Sequence, residues 1–159
     1  MTTNILIQRA TAADAHGVAV LVGDLLAEIM NAINIHAFNF DLAETTVRLK
    51  GFLDKEQYFV FVARNDSLDL IGFIALYESY ALYAEGAFGT IAELYVRVES
   101  RANKVGKRLV LQAKSFGKMR GWKRLEVTTP PLPQFDKTLS FYEREGFSIT
   151  GGRKLKVAL

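Results

Sequence analysis

Between Thr90 and Thr129 a strand-like run, an amphipathic helix and a second strand-like run follow one another. Thr90–Val98 is dominated by apolar strand formers, and Lys104–Met119 sets Val105, Leu109, Ala113 and Phe116 on one helical face. Gly121 stops that helix, and Arg124–Thr129 is a strand again. Strand, helix, strand over this span is one βαβ unit, so its two strands lie parallel and its crossover is right-handed.

Upstream of this unit the pattern is different. Ile5-Leu6-Ile7 reads as a short opening strand, and Thr11 stands as the N-cap of a helix that repeats Val18, Leu21, Val22, Leu25, Leu26 and Ile29. Asn31–Phe40 is irregular, and a second helix is expected over Asp41–Phe52. Tyr58–Ala63 and Leu70–Tyr77 flank the turn cluster Asn65-Asp66-Ser67 and read as an antiparallel hairpin. Glu78–Gly89 reads as a long aromatic connection into the third strand. Downstream, all three prolines fall within Pro130–Pro133, Asp136–Glu145 is a short helix, and Phe147–Val157 is expected to hold a hairpin around Gly151-Gly152. The fold is therefore α+β: a mixed, mostly antiparallel sheet with one βαβ crossover and helices on both faces. With 159 residues and no linker or repeat, a single domain over 1–159 is expected.

Composition narrows the chemistry. The absence of cysteine excludes disulfides, zinc–thiolate sites and a cysteine nucleophile, and two histidines make a poor metal site, so no metal is expected. The start MTTNILIQRA has no basic segment leading into an apolar core, and apolar stretches are broken within about ten residues, as by Asp24. The expectation is a cytoplasmic protein with no membrane partner. Lys and Arg total 20 against 17 Asp and Glu, a net +3 that names no partner until the charges are located.

Four cations, Arg101, Lys104, Lys107 and Arg108, gather in or just before the first turns of the crossover helix. The helix macrodipole is positive there, and each unpaired cation costs roughly 0.3–1 kcal/mol. A solvated basic face is one reading. A nucleic-acid patch needs a stripe or interleaved aromatics, whereas this cluster is compact, so no nucleic-acid partner is expected. A phosphate-bearing small molecule reverses the sign of the cost, because free N–H groups, dipole and side chains then all face an anion. Gly106 lets such a ligand approach the backbone. The chain has neither a GxGxxG fingerprint nor a Walker A loop.

The run Glu93-Leu94-Tyr95-Val96-Arg97-Val98-Glu99-Ser100-Arg101-Ala102-Asn103-Lys104-Val105-Gly106 resembles the acyl-CoA-binding motif of the GNAT acyltransferase superfamily. In that motif a strand leads through a short link into R/Q-x-x-G-x-G/A at a helix start. Arg101 takes the first position and Gly106 the last, while Lys104 replaces the middle glycine. Leu139-Ser140-Phe141-Tyr142-Glu143-Arg144-Glu145-Gly146-Phe147 is similar to the family's second signature, and the element order agrees along the whole chain. Phe135 stands where the family often has an asparagine that contacts the cofactor.

The resemblance implies direct transfer of an acyl group, usually acetyl, from acetyl-CoA to an amine. The pantetheine arm would pair with the strand near Tyr95 and Val96. The pyrophosphate would rest on Arg101, Ala102, Asn103, Lys104, Val105, Gly106 and Lys107. Tyr142 is the candidate general acid for the departing thiolate, set against a packing role in its short helix. Glu93, a carboxylate in an otherwise apolar strand, is either a structural carboxylate or the base that deprotonates the incoming ammonium. His36, Phe38, Phe40, Tyr80 and Tyr83 are candidates for the acceptor pocket, each with surface or core packing as its other reading. The acceptor is a small-molecule or protein amine, a homodimer is compatible with such folds, and the alternative function is a non-catalytic acyl-CoA-binding or sensing module.

Overall fold

The computed structural model describes residues 4–159. Two compact units divide the chain, residues 1–128 and 129–159. The first holds strands β1 (Leu6–Arg9), β2 (Phe59–Arg64), β3 (Leu70–Ala81), β4 (Gly86–Val96) and β5 (Leu125–Val127). Its helices are α1 (Ala15–Ile33), α2 (Leu42–Asp54) and α3 (Val105–Met119), and the second unit contains α4 (Asp136–Arg144). The sheet order is β1-β2-β3-β4-β5, antiparallel throughout except for the parallel β4–β5 pair. That parallel pair is the crossover expected from the sequence, with α3 as its connection.

Each face of the sheet carries its own core. Val60, Val62, Phe73, Ala75 and Tyr95 share one face with Ala15, Val18 and Leu21 of α1 and Leu49 of α2. On the other face the Phe116 ring of α3 lies 5.0 Å from Phe59 and 5.4 Å from Phe61, with Trp122 5.5 Å away. Thr11 caps the approach to α1, its N–H bonding the Asp14 carboxylate at 2.9 Å, and the Asp41 carboxylate caps α2 through Glu44 N–H at 2.8 Å. Among the described residues one helical stretch, Ala12–Ile33, is long and apolar enough by length and composition to cross a membrane. It carries Asp24 and Glu28, and it buries Val18 and Leu21 in the sheet core.

Two sequence expectations need correction. Glu78–Gly89 is not a loose connection: β3 runs on to Ala81 and β4 starts at Gly86, pairing from Ala81↔Gly86 back to Tyr77↔Thr90. The Ser79 and Thr90 hydroxyls bond at 2.8 Å across this ladder, and Glu85 and Gly86, both at positive φ, make the turn compact. The hairpin expected in Phe147–Val157 does not form, since residues 147–159 hold no strand. Leu155 and Val157 alternate with Lys154 and Lys156, but alternation cannot make a strand without a partner ladder and a covered apolar face. Both apolar side chains are more than four-fifths exposed, at 89% and 81%.

Candidate active site

The pivotal local feature is a bulge in β4. Ala75 pairs with Glu93 but the next residue, Leu76, pairs with Ile91, which leaves Ala92 as an extra residue. Strict alternation would put Ile91 and Glu93 on one face. The bulge separates them: Ile91 stays opposite Leu76, while Glu93 stands opposite Ala75 on the α1–α2 face. Tyr95, opposite Phe73, shares that face with Glu93, as the alternation predicts.

At the same point β4 loses its other neighbour. The β5 ladder runs Gly89↔Leu125, Thr90↔Glu126, Ile91↔Val127 and ends there. Beyond it, Arg97 N–H bonds back to Ile71 C=O at 2.8 Å. Backbone groups of successive strand residues alternate in direction, so those of Val96 point the other way, toward the side β5 has left. The Val96 carbonyl accepts from Arg101 Nε at 2.8 Å, and the β5 ladder, which ends at Ile91, does not extend to Val96.

Glu93 is partly buried, and among the described residues it meets Tyr58, whose hydroxyl donates to both carboxylate oxygens at 3.1 and 3.2 Å. Desolvation raises the Glu93 carboxyl to about 7, with the Tyr58 bond opposing the rise. A carboxylate in this range is half ionised near neutrality, as a proton acceptor for an ammonium requires. Burial, and secondarily the Glu93 charge, pushes the Tyr58 phenol well above its ordinary value, so Tyr58 remains a donor. Its ring stacks on Tyr77 at 6.3 Å and lies 5.0 Å from Phe52. These rings, with Glu56, Gln57, Glu78 and Tyr80, line an open cavity of about 360 Å³.

At the end of β4 a short 3-10 turn over Val98–Asn103 leads to Lys104, which adopts the left-handed conformation at φ 57° and opens α3. The family motif has glycine at this position, and the backbone geometry gives the reason. No side chain caps α3, so the N–H groups of Val105, Gly106 and Lys107 form its open positive end, with Arg108 N–H the first to bond inward, to Lys104 C=O at 3.1 Å. Lys104, Lys107 and Arg108 are exposed, and none makes an ion pair with a described residue. Ala102 and Asn103 are exposed in the turn, and Val105 is buried beneath it. Arg101 behaves differently. Besides Val96 C=O it reaches the Glu28 carboxylate at 2.7 Å and lies 5.4 Å from the Tyr95 ring centre, so it ties the turn to β4 and α1. Groups able to bind an anion thus gather at this turn: N–H groups, a helix dipole and three cations without an ion pair to a described residue.

The remaining candidates are dispersed. Tyr80 lines the cavity, its hydroxyl donating to Glu78 at 2.5 Å. Tyr83 is exposed and sits under Arg124, 5.2 Å from its ring centre. His36, Phe38 and Phe40 lie on the α1–α2 connection and are not among the cavity's lining residues. His36 bonds Asn39 at 3.1 Å, and the Phe40 ring fills the space beside Gly23. In the second unit Tyr142 is 5% exposed on α4, between Phe141 and Phe147 with ring centres at 5.2 and 5.4 Å. Burial raises its phenol above the ordinary value. Sequence reasoning did not find Tyr58, Tyr77 or Phe52. Tyr58 opens an apolar strand run like any core aromatic, and its partner lies 35 residues away.

Comparison with known proteins shows the family and the fold. The acetyltransferase (GNAT) domain model matches residues 56–149, more than half the chain, and the chain belongs to that family. No protein of curated function matches it in sequence. A solved aminoglycoside acetyltransferase, meta-AAC0020 from an uncultured soil metagenomic sample, superposes with TM-score 0.76 at 20% identity, covering 98% of this chain and 96% of that one. A ribosomal-protein-alanine N-acetyltransferase from Brucella melitensis biovar Abortus 2308 gives 0.73 at 19% identity, covering 98% and 99%. A protein from Arthrobacter sp. FB24 assigned as an acetyltransferase gives 0.75 at 26% identity, covering 97% and 92%. The chain is an N-acetyltransferase of the GNAT class.

Proposed function

We propose that this enzyme transfers the acetyl group of acetyl-CoA directly to a primary amine, as a soluble protein of the cytoplasm. One observation carries the reading: β4 parts from β5 at Ile91↔Val127 and leads, by way of Glu93 and Val96, into the open positive end of α3. A β-strand edge, a carboxylate and an anion site in series match the three parts of an acetyl donor and its attacker.

The donor supplies an activated acetyl thioester, and the chain supplies position, proton transfer and charge stabilisation. Val105, Gly106 and Lys107 N–H groups and the Lys104, Lys107 and Arg108 side chains take the pyrophosphate. The β4 edge at Tyr95 and Val96 takes the pantetheine arm, and the Val96 N–H polarises the thioester carbonyl. Glu93 receives the proton of the acceptor ammonium, directly or through water. The amine nitrogen bonds to the carbonyl carbon as the carbon–sulfur bond breaks. The leaving thiolate takes the phenolic proton that the family resemblance assigns to Tyr142, and the second amine proton, released as the amide forms, restores that phenol by way of water. Burial keeps that phenol protonated until the thiolate develops, with a conjugate-acid pKa of about 8.5 typical of a thiol. The names of two structural neighbours specify amine acceptors, an aminoglycoside and a protein alanine, which supports an amine here.

Thiol release from acetyl-CoA, followed against a panel of primary amines, tests the reading. Saturable, amine-dependent release is expected, with Tyr142→Phe lowering turnover by roughly 10–100-fold and the CoA dissociation constant changing less than about twofold. Saturable acetyl-CoA binding with no release on any amine would instead make the protein a binding module.

A further inference from the structure

The cavity beside Tyr58 has an uneven chemistry. Its lining combines four rings, from Phe52, Tyr58, Tyr77 and Tyr80, with the carboxylates of Glu56 and Glu78, and it contains no lysine, arginine or histidine. At about 360 Å³ it falls in the range of small-ligand sites. Glu78 is held ionised, since bonds from Tyr80 and then from Trp122 lower its pKa. Among the described residues the cation that meets Glu78 is Arg120, at 3.5 Å. Glu56 is exposed and makes no ion pair with a described residue. The Tyr58 ring forms a wall of the cavity while its hydroxyl sits on Glu93.

We infer that this cavity is the acceptor subsite and selects amines that carry a second positive charge, held by the aromatic walls and by Glu56 and Glu78. The inference rests on the transferase reading above, which makes Glu93 the base. The reacting amine gives up its proton toward Glu93, so its own charge cannot anchor it through the reaction. A second cation keeps its charge throughout and meets ring faces and carboxylates, both of which attract it. An acceptor with a neutral end gains only apolar contact, and one with an anionic end faces Glu56, Glu78 and, once ionised, Glu93.

Three probes of equal chain length separate these cases: putrescine, butylamine and γ-aminobutyrate, each with saturating acetyl-CoA. Expected kcat/KM is highest for putrescine, about tenfold above butylamine, with γ-aminobutyrate slowest. Glu56→Gln, an exposed and fold-neutral change, should shrink the putrescine-to-butylamine ratio by roughly threefold. Equal rates for putrescine and butylamine, or a faster butylamine, would overturn the inference. Calorimetric titration of putrescine provides an arm independent of turnover. If no amine releases thiol, the transferase reading fails, and putrescine binding weakened by Glu56→Gln and Tyr77→Leu still upholds the cavity's selectivity. Binding that is absent or indifferent to both substitutions overturns it.

Discussion

Tyr58 shares one hydroxyl hydrogen between both carboxylate oxygens of Glu93, at 3.1 and 3.2 Å, joining the start of β2 to the bulged centre of β4. This contact stabilises the ionised form of a carboxylate that desolvation pushes up to about 7. If Glu93 is the base, kcat/KM rises with pH through about 7, because only the carboxylate accepts a proton. Tyr58→Phe removes the donor to the ionised form and should move this limb to higher pH by about one unit, the worth of a hydrogen bond to a charged group. Glu93→Gln should remove the limb altogether. A limb that stays in place in Tyr58→Phe would mean that the titrating base is elsewhere.

The same shift carries a stability prediction of definite sign. The folded-state pKa of Glu93 is raised above the unfolded value near 4.5, so folding favours the neutral carboxyl. Its contribution is fully present below about 4.5 and lost as pH rises through about 7. Glu93→Gln mimics the neutral form and keeps an acceptor for Tyr58. It should match the wild type near pH 4.5 and exceed it above pH 7, by up to about 3 kcal/mol at 1.36 kcal/mol per pKa unit. Urea unfolding at the two pH values measures this. A constant difference between the proteins would show that Glu93 titrates normally.

What could be read from the chain alone was whatever is local. The helical period of Val105, Leu109, Ala113 and Phe116, the Asn65-Asp66-Ser67 turn and the alternation that sets Glu93 beside Tyr95 all survive in the structure. The Ala92 bulge was not legible, because Ile91-Ala92-Glu93-Leu94 reads as one regular strand and only cross-strand register reveals the extra residue. The cation cluster was legible as charge, but Arg101's engagement with Glu28, across 73 positions, was not. Long-range partners such as Tyr58 for Glu93 follow from strand order, which a single periodic pattern does not encode. The C-terminal hairpin failed for the opposite reason: the local pattern existed and no partner ladder met it.

Lys104 stands at φ 57° where the family motif has glycine, so its side chain is held in a conformation that costs roughly 1–2 kcal/mol for an L-residue. Two substitutions isolate this cost, since both remove the same charge. Lys104→Gly should be more stable than Lys104→Ala by about 1 kcal/mol in urea unfolding, because only glycine relaxes the strain. If Lys104 also contacts phosphate, both variants should lose CoA affinity equally. Equal stability of the two would indicate that the turn relaxes to negative φ.

Gly89 and Gly51 should answer an added methyl with opposite signs. Gly89 lies in β4 between Glu78 of β3 and Leu125 of β5, and a Cβ there would fall 2.4 Å from Trp122 ring carbons and 2.6 Å from Leu125. The indole cannot yield cheaply, since its Nε1 donates to Glu78 at 2.6 Å and its ring packs edge-on against Phe59 and Phe116. Gly89→Ala should therefore destabilise by about 1–3 kcal/mol, the usual range for overpacking, and disturb the short β4–β5 ladder. At Gly51, inside α2, an added Cβ would meet nothing within 4 Å, so Gly51→Ala removes only the entropic penalty of a mid-helix glycine and should stabilise by roughly 0.5–1 kcal/mol. Chemical denaturation midpoints of the two variants give the signs directly. A neutral Gly89→Ala would show that Trp122 has room to shift, and with it the end of the crossover that frees the β4 edge.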